Sequence, residues 1–376
     1  MKKILVLALI LSLFANFRIM AVDLAPSAKA AAIIDCQDGR ILYEKNGDKR
    51  LPMASTTKIV TAITAIENGK LSDVVTVSAN AAKTEGSSVY LVMGEKLTLE
   101  DLLYALLLES GNDASVAIAE HISGSTQNFA VLMNQTAKKA GATNSNFTNP
   151  SGLDDKNHYT TAKDLAIITA YALKNKEFSN IVSTQRKTIP CQYTSWDRQL
   201  DNHNKLLKMY SGADGVKTGY TRRSGRCLVS SATRNNWKIA AVTLSDPDDW
   251  NDHIKMMDYA FSNAIDKKIV NKEDRLGQIQ VLESKSNSVA FHAAEDYCIK
   301  CLPDEAEFST EIVVPGNLQA PVKKNDEVGV LQISNKGKII KTIKLLASQS
   351  AELLDYKQKY WDGFKLILAA LLNLAR

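Results

Sequence analysis

The chain has 376 residues, 45% hydrophobic and 23% charged, with a formal charge of +5. This composition excludes a disordered or fibrous protein and leaves length for a large core and more than one domain. Five cysteines, Cys36, Cys191, Cys227, Cys298 and Cys301, are too sparse and odd a set for a disulfide framework.

At the N-terminus, Lys2 and Lys3 precede an uncharged apolar stretch from Ile4 to Phe17, followed by Arg18 and small residues around Ala21. This is the pattern of a secretory signal peptide over residues 1–21, cleaved after Ala21. A cut at Ala28-Lys29-Ala30 would remove residues needed for a strand, and an uncleaved anchor would need a longer apolar stretch to span a membrane. Residues 1–21 carry three cations and no acid, so their removal lowers the formal charge to +2. The basic precursor therefore implies no nucleic-acid partner.

Ala30–Ile34 and Arg40–Tyr43 read as strands joined across Cys36-Gln37-Asp38-Gly39, a hairpin. Pro52 then precedes Ser55-Thr56-Thr57-Lys58, which runs into Ile59, Val60, Ile63 and Ile66 and stops at Asn68-Gly69. The spacing predicts one helix with Ser55 in its first turn and Lys58 on the same face. Ser72–Val77 leans to strand, and Lys83–Val92, with Gly86-Ser87-Ser88, to a loop and a short strand. Thr98-Leu99-Glu100-Asp101 has capping-box spacing and opens a buried helix that breaks at Ser110-Gly111-Asn112. A helix resumes from Asp113 to Ile122, another lies near Phe129–Lys139, and one begins near Thr160 after a polar loop through Asn149-Pro150-Ser151-Gly152.

Gly215–Tyr220, Cys227–Ala232 and Trp237–Leu244 read as consecutive antiparallel strands. Strands from both chain ends thus bracket a helix-rich middle, which predicts an α+β domain over residues 22–270 with one sheet and a helical lobe. Residues 271–350 break into short β-rich runs, a small all-β domain without a cluster of catalytic types. The Cys298-Ile299-Lys300-Cys301 spacing has only His292 nearby, so a local disulfide or plain thiols are expected rather than a metal site, and no cofactor is implied. In the tail, 351–376, Tyr360, Trp361 and Lys365 adjoin an apolar run from Leu366 to Leu372, too short to cross a bilayer. An amphipathic helix lying in a membrane surface is the preferred reading, ahead of a helix docked on the protein or on a second copy.

Three stretches gain meaning together: Ser55-x-x-Lys58, Ser110-Gly111-Asn112 and Lys217-Thr218-Gly219. In this order, at a helix start, a helix break and a strand, they resemble the signature of serine penicillin-recognising enzymes, whose fold is the β-lactamase/transpeptidase type. Ala54-Ser55-Thr56-Thr57-Lys58, Ser110-Gly111-Asn112-Asp113-Ala114, Phe147-Thr148-Asn149-Pro150-Ser151-Gly152-Leu153 and Lys217-Thr218-Gly219-Tyr220-Thr221 are similar to the low-molecular-mass D-alanyl-D-alanine carboxypeptidases. That resemblance covers nearly the whole chain, since the family also carries a signal peptide, a β-rich second domain and a C-terminal amphipathic anchor. It implies a substrate, the peptidoglycan pentapeptide stem, β-lactam antibiotics as covalent inhibitors, and a location outside the cytoplasmic membrane.

The chemistry needs these residue types. Ser55 is a weak nucleophile unless a base lies within hydrogen-bond reach, and Lys58 one turn away can serve only as a neutral amine. Burial and the charge of Lys217 would both depress its pKa. The resemblance implies an oxyanion hole from the N–H groups of Ser55 and Tyr220, a proton relay at Ser110, a substrate-amide contact at Asn112, and carboxylate binding by Lys217 with Thr218. Gly219 is expected where a side chain would block the substrate backbone along the strand. The residues after Gly219, Tyr220 with Arg222 and Arg223, depart from the usual pattern, and Cys227 reads either as a thiol near the site or as a small apolar packing residue. A β-lactamase would need a loop glutamate between the second and third motifs, and residues 121–176 contain none. The same nucleophile would also serve an endopeptidase or a transpeptidase acting on cross-linked peptides, and the fold without the chemistry would be a wall-binding scaffold.

Overall fold

Strand β1, Ala30–Asp35, is buried along its whole length because it lies inside a sheet covered on both faces. The computed structural model describes residues 23–305 and 307–374, so the expected signal peptide lies outside the described residues. Strands β2 (Ile41–Lys45), β3 (Ala213–Thr221), β4 (Gly225–Arg234) and β5 (Trp237–Leu244) complete a five-stranded antiparallel sheet in the order β2-β1-β5-β4-β3. The first strands of the domain therefore pair directly with the last, Ala30 opposite Leu244 and Asp35 opposite Ile239. Alternation along each strand sends Ala30, Ala32 and Ile34 into one apolar core and Ala31 and Ile33 into another.

The larger core is roofed by the helices between β2 and β3. Lys58–Asn68 runs through its centre, flanked by Leu99–Leu107, Asn112–Ser123, Thr126–Ala140 and Ala162–Leu173. Thr98 and Asp101 form the expected capping box. The opposite face is covered by the helix Asp249–Asn263 through Met256, Met257 and Ala260. Between Lys83 and Val92 no strand forms; Val74–Thr76 pairs instead with Lys96–Thr98. A further hairpin, Arg186–Ile189 with Arg198–Asp201, is anchored by a partly buried ion pair in which Arg198 donates to both oxygens of the buried Glu95 at 2.6 and 2.9 Å.

Beyond Asn263 the chain builds a mixed six-stranded sheet from Arg275–Leu282, Ser288–Ala293, Phe308–Val313, Leu318–Gln319, Glu327–Asn335 and Lys338–Ala347. It packs its own core around Phe291, Ile333 and Leu345. Ala351 bridges to Val322 and Leu353 to Ser284, so this β unit continues past residue 350. Where it meets the first domain, Arg40 at the β1–β2 turn is buried against Asp35, Asp38 and Glu305, at 3.0, 2.7 and 3.0 Å, and donates to the Lys300 carbonyl at 2.7 Å. The closing helix, Tyr356–Leu374, leaves Tyr360, Trp361, Phe364, Leu366, Ile367 and Leu371 exposed. Among the described residues no helix is long and apolar enough to cross a membrane.

All five cysteines are free thiols. Residues three apart on a strand face opposite ways, which puts Cys298 in solvent and Cys301 in the interior, so no local disulfide forms between them.

Candidate active site

Ser55 stands in a 3-10 turn, Ala54–Thr57, and the α-helix proper starts at Lys58. Ala54 has a left-handed φ of 49°, and Thr56 ties both its N–H and its hydroxyl to the Met53 carbonyl. This tighter winding makes residues three apart eclipse, and it stacks Ser55 directly over Lys58. Two glycines allow other segments to touch the turn. A Cβ on Gly152, whose φ is 86°, would lie 2.0 Å from the Ala54 carbonyl oxygen, and a Cβ on Gly219 would lie 3.0 Å from the Ser55 and Thr56 nitrogens. The approach of β3 to the nucleophile turn is thus by itself a reason for glycine at 219, in addition to the substrate clearance that the sequence suggests.

Lys58 is fully buried, and its Nζ has three partners: Ser55 Oγ at 2.9 Å, Asn112 Oδ1 at 2.7 Å and the Ser151 carbonyl at 2.7 Å. Burial and the neighbouring Lys217 charge hold its pKa well below the ordinary amine value, partly offset by Asp113. A neutral amine has two N–H groups and one lone pair. The two carbonyl-type oxygens occupy the N–H groups, which turns the lone pair to the Ser55 hydroxyl. Asn112 is oriented by its own amide, since its Nδ2 donates to the Glu85 carbonyl at 2.7 Å.

The helix break positions the second motif. Ser110 takes a φ of 65°, Gly111 N–H returns to the Ala105 carbonyl, and the next helix begins at Asn112. Asp113, buried behind it, accepts from the Ser88 hydroxyl at 2.6 Å and from the N–H groups of Val89 and Leu91. One carboxylate therefore fixes the 88–91 loop to the motif.

Strand β3 carries the third motif along the other side. Lys217 is buried beneath the cleft wall, donates to the Thr218 carbonyl at 2.9 Å, and has its pKa lowered to about 7 by burial, with Glu109 opposing. Ser55, Ser110, Thr218, Gly219 and Tyr220 line one open cleft of about 340 Å³ together with His203, Lys205, Arg226 and Trp250. The structure thus brings all eight sequence-derived residues to one place, five lining the cleft and Lys58, Asn112 and Lys217 buried beside it. Cys227 is buried in β4, and burial pushes its thiol up to about 11, which settles it as a packing residue.

The 147–153 loop, which the sequence marks as a motif without giving its residues a role, closes the floor. Asn149 Oδ1 accepts from the N–H groups of Ser151 and Gly152, which presents the Ser151 carbonyl to Lys58. His158, lowered to about 4 by burial, pairs with Thr57 Oγ1 at 2.8 Å through Nε2 and accepts from Thr148 N–H at 3.0 Å through Nδ1. It is neutral at physiological pH and holds the floor loop against the nucleophile turn. Nothing around His158 in the sequence signals this, because its partner lies 101 residues away. Among the described residues no group of ligand-type side chains is arranged to hold a metal ion.

Known proteins share this arrangement. The D-alanyl-D-alanine carboxypeptidase family profile matches residues 19–248, and the profile of the penicillin-binding protein 5 C-terminal domain matches 266–352. The D-alanyl-D-alanine carboxypeptidase DacF of Bacillus subtilis is 36% identical over 328 residues, 85% of this chain and 84% of the relative. DacA of Haemophilus influenzae, a D-alanyl-D-alanine carboxypeptidase, is 31% identical over 92% of this chain and 91% of its own. The crystal structure of penicillin binding protein 5 from Haemophilus influenzae superposes with a TM-score of 0.68 at 29% identity, over 87% of this chain and 98% of that one. On the matched length, the paired domains and the assembled motifs, this chain belongs to the D-alanyl-D-alanine carboxypeptidase family of serine peptidases.

Proposed function

We propose that the protein removes the terminal D-alanine from peptidoglycan pentapeptides through an acyl-enzyme on Ser55. The observation that carries the reading is the buried Lys58 amine 2.9 Å from Ser55 Oγ, its two N–H groups already taken by Asn112 and Ser151. Lys58 accepts the hydroxyl proton as Ser55 Oγ bonds to the carbonyl carbon of the D-Ala-D-Ala bond. The N–H groups of Ser55 and Tyr220 receive the oxyanion, contacts worth about 3–4 kcal/mol of barrier each. Ser110 relays the proton to the leaving amine, the C–N bond breaks, and D-alanine departs. Asn112 steadies the substrate amide, Thr218 takes the free carboxylate, and Lys217 beneath supplies the field. Water then hydrolyses the ester.

Penicillin enters the same route and stays, because no glutamate lies in residues 121–176 to activate the deacylating water. Mass spectrometry of the intact protein after penicillin treatment tests the reading: a stable single adduct mapping to Ser55 is expected, and rapid turnover of a chromogenic cephalosporin would make the protein a β-lactamase instead.

Residues 1–21 act as a signal peptide in this reading, and burial of Leu24, Ala25 and Ala28 supports cleavage ahead of them rather than at Ala30. The closing helix rests on the outer face of the cytoplasmic membrane. Its exposed Trp361, Phe364, Leu366 and Ile367 support that, since a soluble surface gains nothing from them.

A further inference from the structure

A cavity of about 500 Å³ lies along the edge of the five-stranded sheet that takes no part in the chemistry above. Strand β3, with Lys217 and Gly219, is one edge of that sheet. Strand β2 is the other, four strand spacings or about 19 Å across, and among the described strands it pairs with β1 alone. Six consecutive residues, Gly39 to Glu44, line the cavity. Neighbouring side chains of a strand point to opposite faces, so a cavity touched by all of them runs along the strand's edge, against its unpaired N–H and C=O groups.

The rest of the lining comes from two other elements: Lys163 and Ile167 of the helix Ala162–Leu173, and Asn335, Lys336, Lys338 and Ile340 around the turn that joins Glu327–Asn335 to Lys338–Ala347. These walls are tied together. Arg40 at the start of β2 binds Glu305 at 3.0 Å, and Asn335 Nδ2 donates to the Glu305 and Glu307 carbonyls at 3.3 and 3.1 Å. The space is therefore formed before anything enters it, which lowers the cost of binding there. Charge sets the sign of what enters. Lys336 and Lys338 are exposed at the turn and enter no ion pair among the described residues, while Lys163 lies between Glu44 and Asp48 at 3.7 and 3.5 Å. Arg40 is saturated by its own carboxylates. Three ammonium groups thus meet one lining carboxylate, Glu44, beside the partly buried Ile41, Ile167 and Ile340.

We infer that this cavity docks an extended, acidic segment of a partner protein, which adds to β2 as a sixth strand of the main sheet. An unpaired strand edge suits another backbone, an aliphatic lining suits apolar side chains at alternate positions, and the surplus of lysines suits carboxylates on the incoming segment. A polyanion without a peptide backbone would use the lysines and leave the strand edge and the isoleucines unmet. Because the Lys-Thr-Gly strand is the opposite edge, the docked segment leaves the catalytic cleft open.

The test uses a fluorescein-labelled hexapeptide of alternating glutamate and valine, about the length of β2, titrated with the full chain and read by fluorescence anisotropy. Saturable binding that weakens with salt is expected, with slower amide hydrogen exchange over residues 41–45. Successive N–H groups of a strand point to opposite sides, so of two versions of the peptide, N-methylated at the glutamates or at the valines, only one should lose affinity, by about tenfold. Lys336→Glu combined with Lys338→Glu should weaken binding by about tenfold and leave penicillin acylation, the check on folding, unchanged. If inorganic polyphosphate binds as tightly as the peptide and neither N-methylated version loses affinity, charge alone is at work and the docked strand is overturned. Absence of binding overturns it as well, and so does a concentration-dependent dimer that the double variant dissolves, which would give the cavity to a second copy.

Discussion

The two large sheets of this protein differ in what covers them. The five-stranded sheet is packed on both faces, and its strands read as unbroken burial, as in β1 and in the last six residues of β5. The six-stranded sheet buries alternate residues, as Ser288–Ala293 and Lys338–Ala347 do, and leaves the others at the surface. Only the doubly covered sheet can supply a dry interior with room for charge. Lys58 and Lys217 lie there, against the roofing helices, and desolvation lowers both pKa values. The second sheet makes a core of apolar side chains and no such pair. A lysine becomes a base here through the layers that enclose it.

The largest expected effect tests the interior directly. Ser55→Ala and Lys58→Ala should each lower D-alanine release by about 10⁴-fold or more. Ser55→Ala should also abolish labelling by fluorescent penicillin, with an unchanged Tm by calorimetry. Next comes the contact that brings β3 to the nucleophile. Gly219→Ala, whose Cβ would meet two backbone nitrogens at 3.0 Å, should separate the strand from the turn. About a hundredfold loss in acylation rate is expected, since misplacement by an ångström costs on that order.

The pH profile gives a smaller effect with a definite sign. Lys217 titrates near 7, below an ordinary amine, so its charge is present at lower pH and lost as pH rises through that value. For a substrate with a free carboxylate, kcat/KM should therefore fall above about pH 7, and Lys217→Ala should remove that limb. Lys58, also depressed, gives the rising limb on the acid side. The counter-experiment lies in the other sheet. Phe291→Ala should destabilise the β domain by about 3–5 kcal/mol, read by chemical denaturation, with penicillin acylation within about twofold of normal. Smallest of all, a chain ending at Asp355 should remain active and lose membrane sedimentation. The cut belongs there rather than at 351, because Ala351 and Leu353 still bridge to the β domain.

Much of the site was legible because its motifs are local. Ser55 and Lys58 are one turn apart, the capping box at Thr98 opens the expected helix, and the break at Ser110 appears as glycine and asparagine between apolar runs. The strands of the main sheet were legible from β-branched and small apolar runs. What escaped the sequence depends on distant partners. The Arg186–Asp201 hairpin has no apolar alternation and is held by Glu95, about a hundred residues back. His158 and the Ser151 carbonyl act through tertiary contacts that no window contains. The 3-10 winding at Ser55 follows from the left-handed Ala54, a residue whose type gives no hint of it.

Arg40 has a mechanical consequence. One guanidinium, shut from solvent, answers to two carboxylates of the opening hairpin and to Glu305 and the Lys300 carbonyl of the β unit. Leu302 packs into the core beneath the main sheet as well, so apolar burial joins the two units beside the ion pairs. If the terminal helix lies on a bilayer as proposed, the β unit would serve as a pedestal of constant height and hold the cleft's mouth at one set distance from it. The layer of wall that the enzyme can trim is in that case chosen by geometry, before any chemistry begins.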